Sequence, residues 1–407
     1  MSVCVLVALA ALGYTYFGYP LLLRVLVQLA GRRHHGLPHT ATSVGSDDQH
    51  PPTVSVLLPA FNAAAYLPAK LDSLVDQEYP PDLIEILIYC DGCTDETERV
   101  ARAYANSPRA GGRIRIVADP AQRGKPTGLN TLAAAASGDL LLLNDVRQPL
   151  SRNTVRDLTR TFTDPAVGCA TGRLVLTGGA GSGVYWRYEE WIRRQESRFR
   201  GVVGMTGPLG MVRRADFVPV PNDIILDDVW LPMSLVLGGK RVVLVPTAEA
   251  HDTAFADERE FSRKVRTLAG NYQLFAKLPQ LLVPFINPIW FETFSHKLMR
   301  LSAPWMLLLL LGSSLLAATG DGSGLVRALV IAQLLFYGMA AVGPKGGRLA
   351  GVARTFVVLN VAAIVGLGRF LTGRQRITWK TGRESGSAAA SERAAPTVQV
   401  SSGPTKS

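Results

Sequence analysis

The sequence predicts an α/β domain, with a mostly parallel mixed sheet flanked by helices, held by membrane helices at both ends of the chain. Between residues 53 and 280, short apolar runs alternate with segments of helical spacing. Hydrophobic residues make up 47% of the 407 residues and concentrate near the two ends in long runs with little charge. Alternating strands and helices are typical of a parallel sheet covered on both faces, and such apolar runs are long enough to span a bilayer.

Residues 1–30 are predicted to be a membrane anchor. Residues 3–23 form an uncharged apolar run of spanning length, and Arg24 is the first basic residue of the chain. A secretory signal carries its positive charge before the apolar run, so we interpret this segment as an uncleaved anchor with its N-terminus outside. Residues 31–52 are polar and contain Pro and Gly, which predicts a linker, and the order of charges places the following domain in the cytoplasm.

The chain beyond residue 280 contains the other membrane segments. Residues 281–300 are aromatic and interrupted by prolines, which indicates an interfacial location, and residues 301–371 are predicted to be a membrane region. Spanning helices are expected at 303–319 and 325–342. Only fourteen residues separate Arg354 from Arg369, so the last apolar stretch is either a further span or a re-entrant segment. Residues 372–407 are basic and then rich in Ser, Ala and Gly, which predicts a disordered tail.

The net charge and the number of cysteines argue against some classes of function. The formal net charge is +11, but Lys and Arg are scattered and flank apolar runs, which favours anionic lipid or a diphosphate over nucleic acid. Four cysteines are too few for a disulfide framework. Cys90 and Cys93 have the spacing of half a zinc site, and because no second pair exists we interpret them as part of a turn.

The predicted sheet indicates where a ligand would bind. Strands are predicted at 53–60, 83–90, 113–119 and 139–145, and helices at 65–77, 94–107 and 127–137. Ligands of such sheets bind beyond the carboxyl ends of the strands, so the residues that follow each strand are the first candidates.

Carboxylates follow two of these strands. Asp91 and Asp95 come directly after the second strand and are placed to bind a base and a ribose. The alternative is a solvated turn in which Thr94 caps the next helix. Asp145 ends the fourth strand, where its oxygens suit a hard divalent cation that also binds a diphosphate, and the alternative is an ordinary strand-ending loop.

Two later segments add a candidate base and candidate phosphate ligands. Asp227 and Asp228 follow an apolar run, and because adjacent side chains point in different directions only one is expected to face the site and accept a proton. The alternative is a helix start with an acidic first turn. Arg263 and Arg266 share one face of a predicted helix that also carries Lys264. They are either ligands of a diphosphate or part of a solvated basic face near lipid.

In this order, the motifs resemble those of the membrane-bound family 2 glycosyltransferases, a group that includes cellulose, chitin and hyaluronan synthases and bacterial exopolysaccharide transferases. The resemblance covers about residues 53–300. VSVLLPAFN (54–62) resembles the family's P-x-Y-N-E segment, YCDGCTDET (89–97) its D-G-S-x-D turn, and RGKPTGLN (123–130) its G-K-x-x-A-L-N helix start. LLLLNDVRQ (140–148) stands where the family has D-x-D, and GMTGPLGMVRR (204–214) resembles its G-x-x-G segment. ILDDVWLP (225–232) resembles the T-E-D segment and RKVRT (263–267) the Q-x-x-R-W segment.

The resemblance implies a GT-A fold and a role for each matching residue. Asp145 would coordinate Mg²⁺ or Mn²⁺, and Asp228 would be the general base. Asp91 would bind the uridine part of the donor, and Arg266 would contact its diphosphate. The full set of implied donor ligands is Asp91, Asp95, Lys125, Arg263 and Arg266.

Some positions depart from the family's motifs. Ala63 stands where the family has an acidic residue, and Arg147 replaces the second carboxylate of D-x-D. A single carboxylate can still hold Mg²⁺ together with water and diphosphate oxygens. Asp227 stands in the place of Glu in T-E-D, and Thr267 in the place of the Trp linked with processive synthases. These changes bear on processivity more than on catalysis.

The resemblance implies an inverting glycosyltransferase that moves a sugar from a nucleotide-sugar, expected to be a UDP-sugar, to a saccharide or polyprenyl-linked acceptor. The protein is expected in a bacterial plasma membrane, with its catalytic domain in the cytoplasm, in contact with lipids and with an export partner or a second copy. Two alternatives are a catalytically inactive scaffold subunit of a polysaccharide export complex, motivated by Ala63 and Arg147, and a nucleotidyltransferase on a similar sheet.

Residues 183–201 mix aromatic and basic side chains at helical spacing. We interpret them as an amphipathic helix that packs on the membrane side of the domain. The alternative is that Trp186 and Trp191 stack on an acceptor sugar.

Overall fold

The computed structural model describes residues 3–31, 51–177, 183–253, 257–319 and 324–375. The predicted linker and the predicted disordered tail lie outside these residues, apart from the first and last residues of the linker and the start of the tail.

A seven-stranded sheet forms the centre of the domain, in the order β3-β2-β1-β4-β6-β5-β7. Its strands are β1 (Val54–Ala60), β2 (Ile84–Asp91), β3 (Ile114–Asp119), β4 (Leu140–Asn144), β5 (Val167–Thr177), β6 (Leu209–Arg213) and β7 (Arg241–Thr253). The first four strands pair in parallel, whereas β6 runs antiparallel to both β4 and β5. The prediction of a mostly parallel mixed sheet is therefore confirmed.

Helices cover both faces of the sheet. They are α3 (Leu67–Val75), α4 (Thr97–Ala105), α5 (Lys125–Ala135), α6 (Thr154–Thr159), α7 (Gly183–Phe199), α8 (Asp227–Leu237) and α9 (Asp257–Lys277). Alternate residues of β1 pack into two separate hydrophobic cores. Val56 and Leu58 belong to the core that contains Leu71 of α3, and Leu57 belongs to the core that contains Leu129 of α5. Burial on both faces explains why this strand is a continuous apolar run.

Among the described residues, four helical segments are long and apolar enough to cross a membrane: Val3–Ala30, Trp290–Thr319, Gly324–Gly346 and Arg348–Leu371. They contain α1 (Val3–Gly13), α2 (Tyr19–Gly31), α10 (Trp290–Glu292), α11 (Met299–Thr319), α12 (Gly324–Val342) and α13 (Arg348–Leu371), with short π-helical turns at Tyr14–Gly18 and Thr293–Leu298.

The last of these helices, α13, covers the C-terminal apolar stretch that the sequence leaves as either a span or a re-entrant segment. The 24-residue α13 includes both Arg354 and Arg369, so the helix is longer than the fourteen residues between them. This length favours a span over a re-entrant segment. The stretch predicted to be interfacial, 281–300, is helical from Trp290 onward and is continuous with α11.

The α7 helix connects the domain to the N-terminal membrane segment. Ile192 is fully buried together with Tyr19, Leu23 and Val27 of α2, and Trp191 packs against the same group. This packing agrees with an amphipathic helix beside the N-terminal segment, and its place on the membrane side stays a prediction.

Candidate active site

A cavity of about 820 Å³ opens at the carboxyl ends of β1 and β4. Phe61 and Asn62, which follow β1, contribute to its wall, as do residues 145–148 after β4. The first residues of α8 and one face of α9 complete this part of the wall. The cavity therefore lies where strand ends and helix starts meet, which is where the sequence predicts the ligand.

Lys125, the first residue of α5, connects two carboxylates in the cavity. Its Nζ lies 2.9 Å from Asp145 Oδ1 and 2.9 Å from Asp227 Oδ2. Burial alone would lower the pKa of Lys125, but the two carboxylates outweigh burial and raise it, so the side chain stays charged. The two contacts join the end of β4, the start of α5 and the start of α8.

The close approach of α5 to the sheet helps to place Lys125. At Gly128 an added Cβ would lie 2.7 Å from Tyr89 Cδ1 and 3.3 Å from Pro59 Cβ. The absence of a side chain at this position lets the first turn of α5 reach the strand ends.

Asp228 lies beside Lys125 and Asp227 in the same wall. An added Cβ on Gly207 would lie 3.1 Å from Asp228 Oδ2, so this glycine keeps the carboxylate accessible from the segment before β6. Burial, followed by the nearby negative charge of Asp227, raises the pKa of Asp228 to about 6.

The expectation that only one of the two adjacent aspartates faces the site was wrong. Asp227 and Asp228 both line the cavity, because α8 begins at Asp227 and both side chains therefore belong to its first turn. Asp227 pairs with Lys125, while Asp228 has no ion-pair partner within the described part of the chain.

Basic side chains line another part of the cavity. Arg266 Nη2 donates to Ile225 O at 3.0 Å, and Arg263 Nη2 lies 2.9 Å from Glu260 Oε2. Arg147, at the position of the second D-x-D carboxylate, pairs with Asp252 at 2.6 Å. All three arginines line the cavity, but Arg147 and Arg263 are paired with carboxylates, whereas Arg266 donates to a backbone carbonyl.

Asp91 and Asp95 are not among the residues that line the cavity. Asp91 is fully buried, and its Oδ1 and Oδ2 accept the backbone N–H groups of Arg123 (2.6 Å) and Gly124 (2.9 Å). Asp95 Oδ1 accepts from Thr97 N at 3.0 Å, at the start of α4. In this structure Asp91 holds the loop that leads into Lys125, and its direct contact with the donor stays a prediction.

Sequence reasoning missed Lys70. This lysine of α3 is fully buried, and its Nζ donates to Gln148 O at 2.5 Å. Burial lowers the pKa of Lys70 to about 7, against the opposing effect of Asp145. Lys70 thus holds the backbone that follows Asp145. The available signal was a lysine on the apolar face of a predicted helix.

The sequence matches known glycosyltransferases. Residues 55–217 match the family model described as Glycosyl transferase family 2. An N-acetylglucosaminyltransferase of Rhizobium sp. (strain N33) is 30% identical over 235 residues, which are 52% of this chain and 50% of that protein. An N-acetylglucosaminyltransferase of Rhizobium meliloti (strain 1021) is 29% identical over 174 residues, 40% of each protein. The chain thus spans about half or less of the length of these relatives.

A solved structure resembles nearly the whole chain. The mannosyltransferase PcManGT from Pyrobaculum calidifontis, in complex with GDP-Man and Mn²⁺, superposes with a TM-score of 0.69 at 23% identity and covers 91% of this chain and 99% of that one. At this identity the likeness is evidence of the fold. Residues 55–217 therefore resemble glycosyl transferase family 2, the fold is that of GT-A glycosyltransferases, and four helices of the described residues are long and apolar enough to cross a membrane.

Proposed function

We propose that this protein is an inverting glycosyltransferase that moves a sugar from a nucleotide-sugar to an acceptor at the cytoplasmic face of a membrane, in cell-surface polysaccharide synthesis. The observation that carries the proposal is the single cavity lined by Asp228 and by the Lys125–Asp145–Asp227 cluster. The N-acetylglucosaminyltransferase relatives make UDP-N-acetylglucosamine the first donor to test. A saccharide or polyprenyl-linked acceptor and an export partner stay predictions.

In the proposed reaction, Asp228 accepts the proton of an acceptor hydroxyl. The hydroxyl oxygen attacks the anomeric carbon from the face opposite the nucleotide, a new C–O bond forms, and the bond to the diphosphate breaks. The products are the glycosylated acceptor and a nucleoside diphosphate. Lys125 and Arg266 supply positive charge where the leaving group develops negative charge, so they stabilise the transition state more than the ground state.

The cavity has the donor atoms that a hard divalent cation prefers. The ammonium group of Lys125 contacts both Asp145 and Asp227, so the two carboxylates already share one cationic group in this structure. We assign Mg²⁺ or Mn²⁺ to Asp145, with Asp227 as the second carboxylate. A bound cation of this kind would neutralise charge on the leaving diphosphate.

We expect kcat/KM to fall as the pH decreases below about 6. Asp228 is active as a base only when it is deprotonated, and its pKa is raised to about 6. The profile should show one acidic limb with a slope of one and a plateau toward neutral pH, measured in buffers from about pH 3.5 to pH 8. A limb near the ordinary aspartate pKa of about 4 would contradict this role for Asp228.

The function is tested by nucleoside diphosphate release from a panel of nucleotide-sugars. The detergent-purified full chain is incubated with each donor, a native membrane extract as acceptor, and Mg²⁺, Mn²⁺ or EDTA. We expect metal-dependent release of UDP or GDP. A second incubation supplies nucleoside triphosphates and a sugar phosphate, and release of inorganic diphosphate there would favour a nucleotidyltransferase. Silence with every substrate from folded protein would favour the scaffold.

A further inference from the structure

The cavity extends from Asp228 to the membrane helices. Beyond Asp228 its wall includes Arg193 of α7 and Lys297, which lies near the start of the Trp290–Thr319 span. Leu301 of α11 and Leu359 of α13 also line it. The end of the cavity that is nearest the membrane is therefore built by helices that are themselves candidate spans.

Two cations on this wall, Arg193 and Lys297, form no ion pair with any carboxylate of the described residues. Arg193 Nη2 donates to Gly204 O at 3.1 Å and to Thr206 Oγ1 at 3.4 Å, and Lys297 makes no hydrogen bond or ion pair with any residue that the structure describes. Both side chains are only partly exposed. A partly buried charge without a counter-charge is costly unless a ligand supplies one.

The neighbouring cations are neutralised by glutamates of α7. Arg194 pairs with Glu190 at 2.6 Å, and Arg300 pairs with Glu189. Carboxylates are thus available on this helix, and they are directed to other cations. Glu189, Glu196 and Asp228 attract both cations from a distance, but no carboxylate of the described residues forms an ion pair with either of them. Arg193 and Lys297 both line the cavity, so their donor groups are available to a bound anion.

We propose that Arg193 and Lys297 bind a phosphate group of the acceptor. This inference rests on the proposed function, because it takes Asp228 as the base that accepts the proton of the acceptor hydroxyl. Lys297 and Asp228 line the same cavity, so a phosphate bound by Lys297 lies in the cavity that holds the proposed base. The donor diphosphate is assigned to Lys125 and Arg266, which leaves these two cations to the acceptor.

A lipid headgroup and a soluble sugar phosphate both provide this chemistry. The apolar contributions of Leu301 and Leu359 favour the lipid, since a chain in the bilayer could place its phosphate beside Lys297 without leaving the membrane helices. Such an acceptor would also explain why the cavity continues into the membrane region.

The test is farnesyl phosphate binding to the detergent-purified full chain. Lys297→Gln and Arg193→Gln should each weaken binding about 10- to 100-fold, the value of a charge-assisted hydrogen bond. Two control variants remove paired cations outside the cavity: Arg194→Gln, next to Arg193, and Lys277→Gln, which pairs with Asp223. Both should bind farnesyl phosphate like wild type, and Lys297→Arg should retain most of the affinity.

Unchanged farnesyl phosphate affinity in both cavity variants would overturn the proposal. An equal loss of UDP affinity would also overturn it, because the two cations would then serve the donor. A second experiment measures the binding of glucose 1-phosphate. If glucose 1-phosphate binds much more weakly than farnesyl phosphate, the phosphate group belongs to a lipid. If the two bind with comparable affinity and both depend on Lys297, the phosphate group belongs to a soluble sugar phosphate. Lys297-dependent binding in a protein that releases no nucleoside diphosphate would leave this site standing while the proposed function fails.

Discussion

Replacing Asp228 with asparagine is expected to lower kcat for sugar transfer about 10²–10⁴-fold and to leave the affinity for the nucleotide-sugar close to that of wild type. The amide has nearly the same shape as the carboxylate but cannot accept the proton of the attacking hydroxyl. The measurement combines nucleoside diphosphate release with calorimetric titration of the donor. Transfer within tenfold of wild type would exclude Asp228 as the base, and a parallel loss of donor affinity would make it a donor ligand.

The same variant should not be destabilised, which separates a catalytic effect from a folding defect. The raised pKa of Asp228 means that the folded protein binds this proton more tightly than the unfolded chain does. The carboxylate therefore costs stability above about pH 6, and this cost disappears as the pH falls toward the ordinary aspartate pKa. Asp228→Asn should melt at the same temperature as wild type or higher at pH 7. A lower melting temperature would indicate a structural role.

Replacing Lys125 with methionine is expected to lower the free energy of unfolding by about 3 kcal/mol, because it leaves two carboxylates close together without their shared counter-charge. The Lys125 and Asp227 side chains are 13% and 10% exposed, so water replaces the lost contacts poorly. Asp145 is 37% exposed, which keeps the expected loss at the lower end of the range for buried pairs. Thermal melting of the purified protein measures the effect.

Manganese should partly reverse this loss. Since Asp145 and Asp227 lose their ammonium partner in Lys125→Met, Mn²⁺ should raise the melting temperature of the variant more than that of wild type. Lys240→Met is the matched control, because Lys240 forms a more exposed pair with Asp216 at 3.2 Å, and exposed pairs contribute at most about 1 kcal/mol. Equal melting temperatures for the two variants, or equal shifts with Mn²⁺, would contradict a cation site between these carboxylates.

Local patterns were enough to predict the elements of the domain. The first four strands and the helices between them lie close to the predicted ranges. The prediction succeeds because strands buried on both faces of a sheet are continuous apolar runs, and the helices that cover them have apolar residues at helical spacing. The same reasoning placed Asp145 and Asp228 at strand and helix ends, and both line the cavity. It could not place Lys70, because whether a lysine is buried depends on the partner that the folded chain brings to it.

The order of strands and apolar runs therefore determined the fold class and the expected membrane helices, since both follow from the spacing of residues along the chain. The choice of Asp228 as the candidate base came from the resemblance to the family's T-E-D motif. Only the tertiary structure decided which charges meet. It pairs Lys125 with both Asp145 and Asp227, commits the oxygens of Asp91 to a backbone loop, and leaves Lys297 facing the cavity without a partner among the described residues. Contacts between distant residues depend on how elements pack against each other, and the periodicity of a single element carries no information about them.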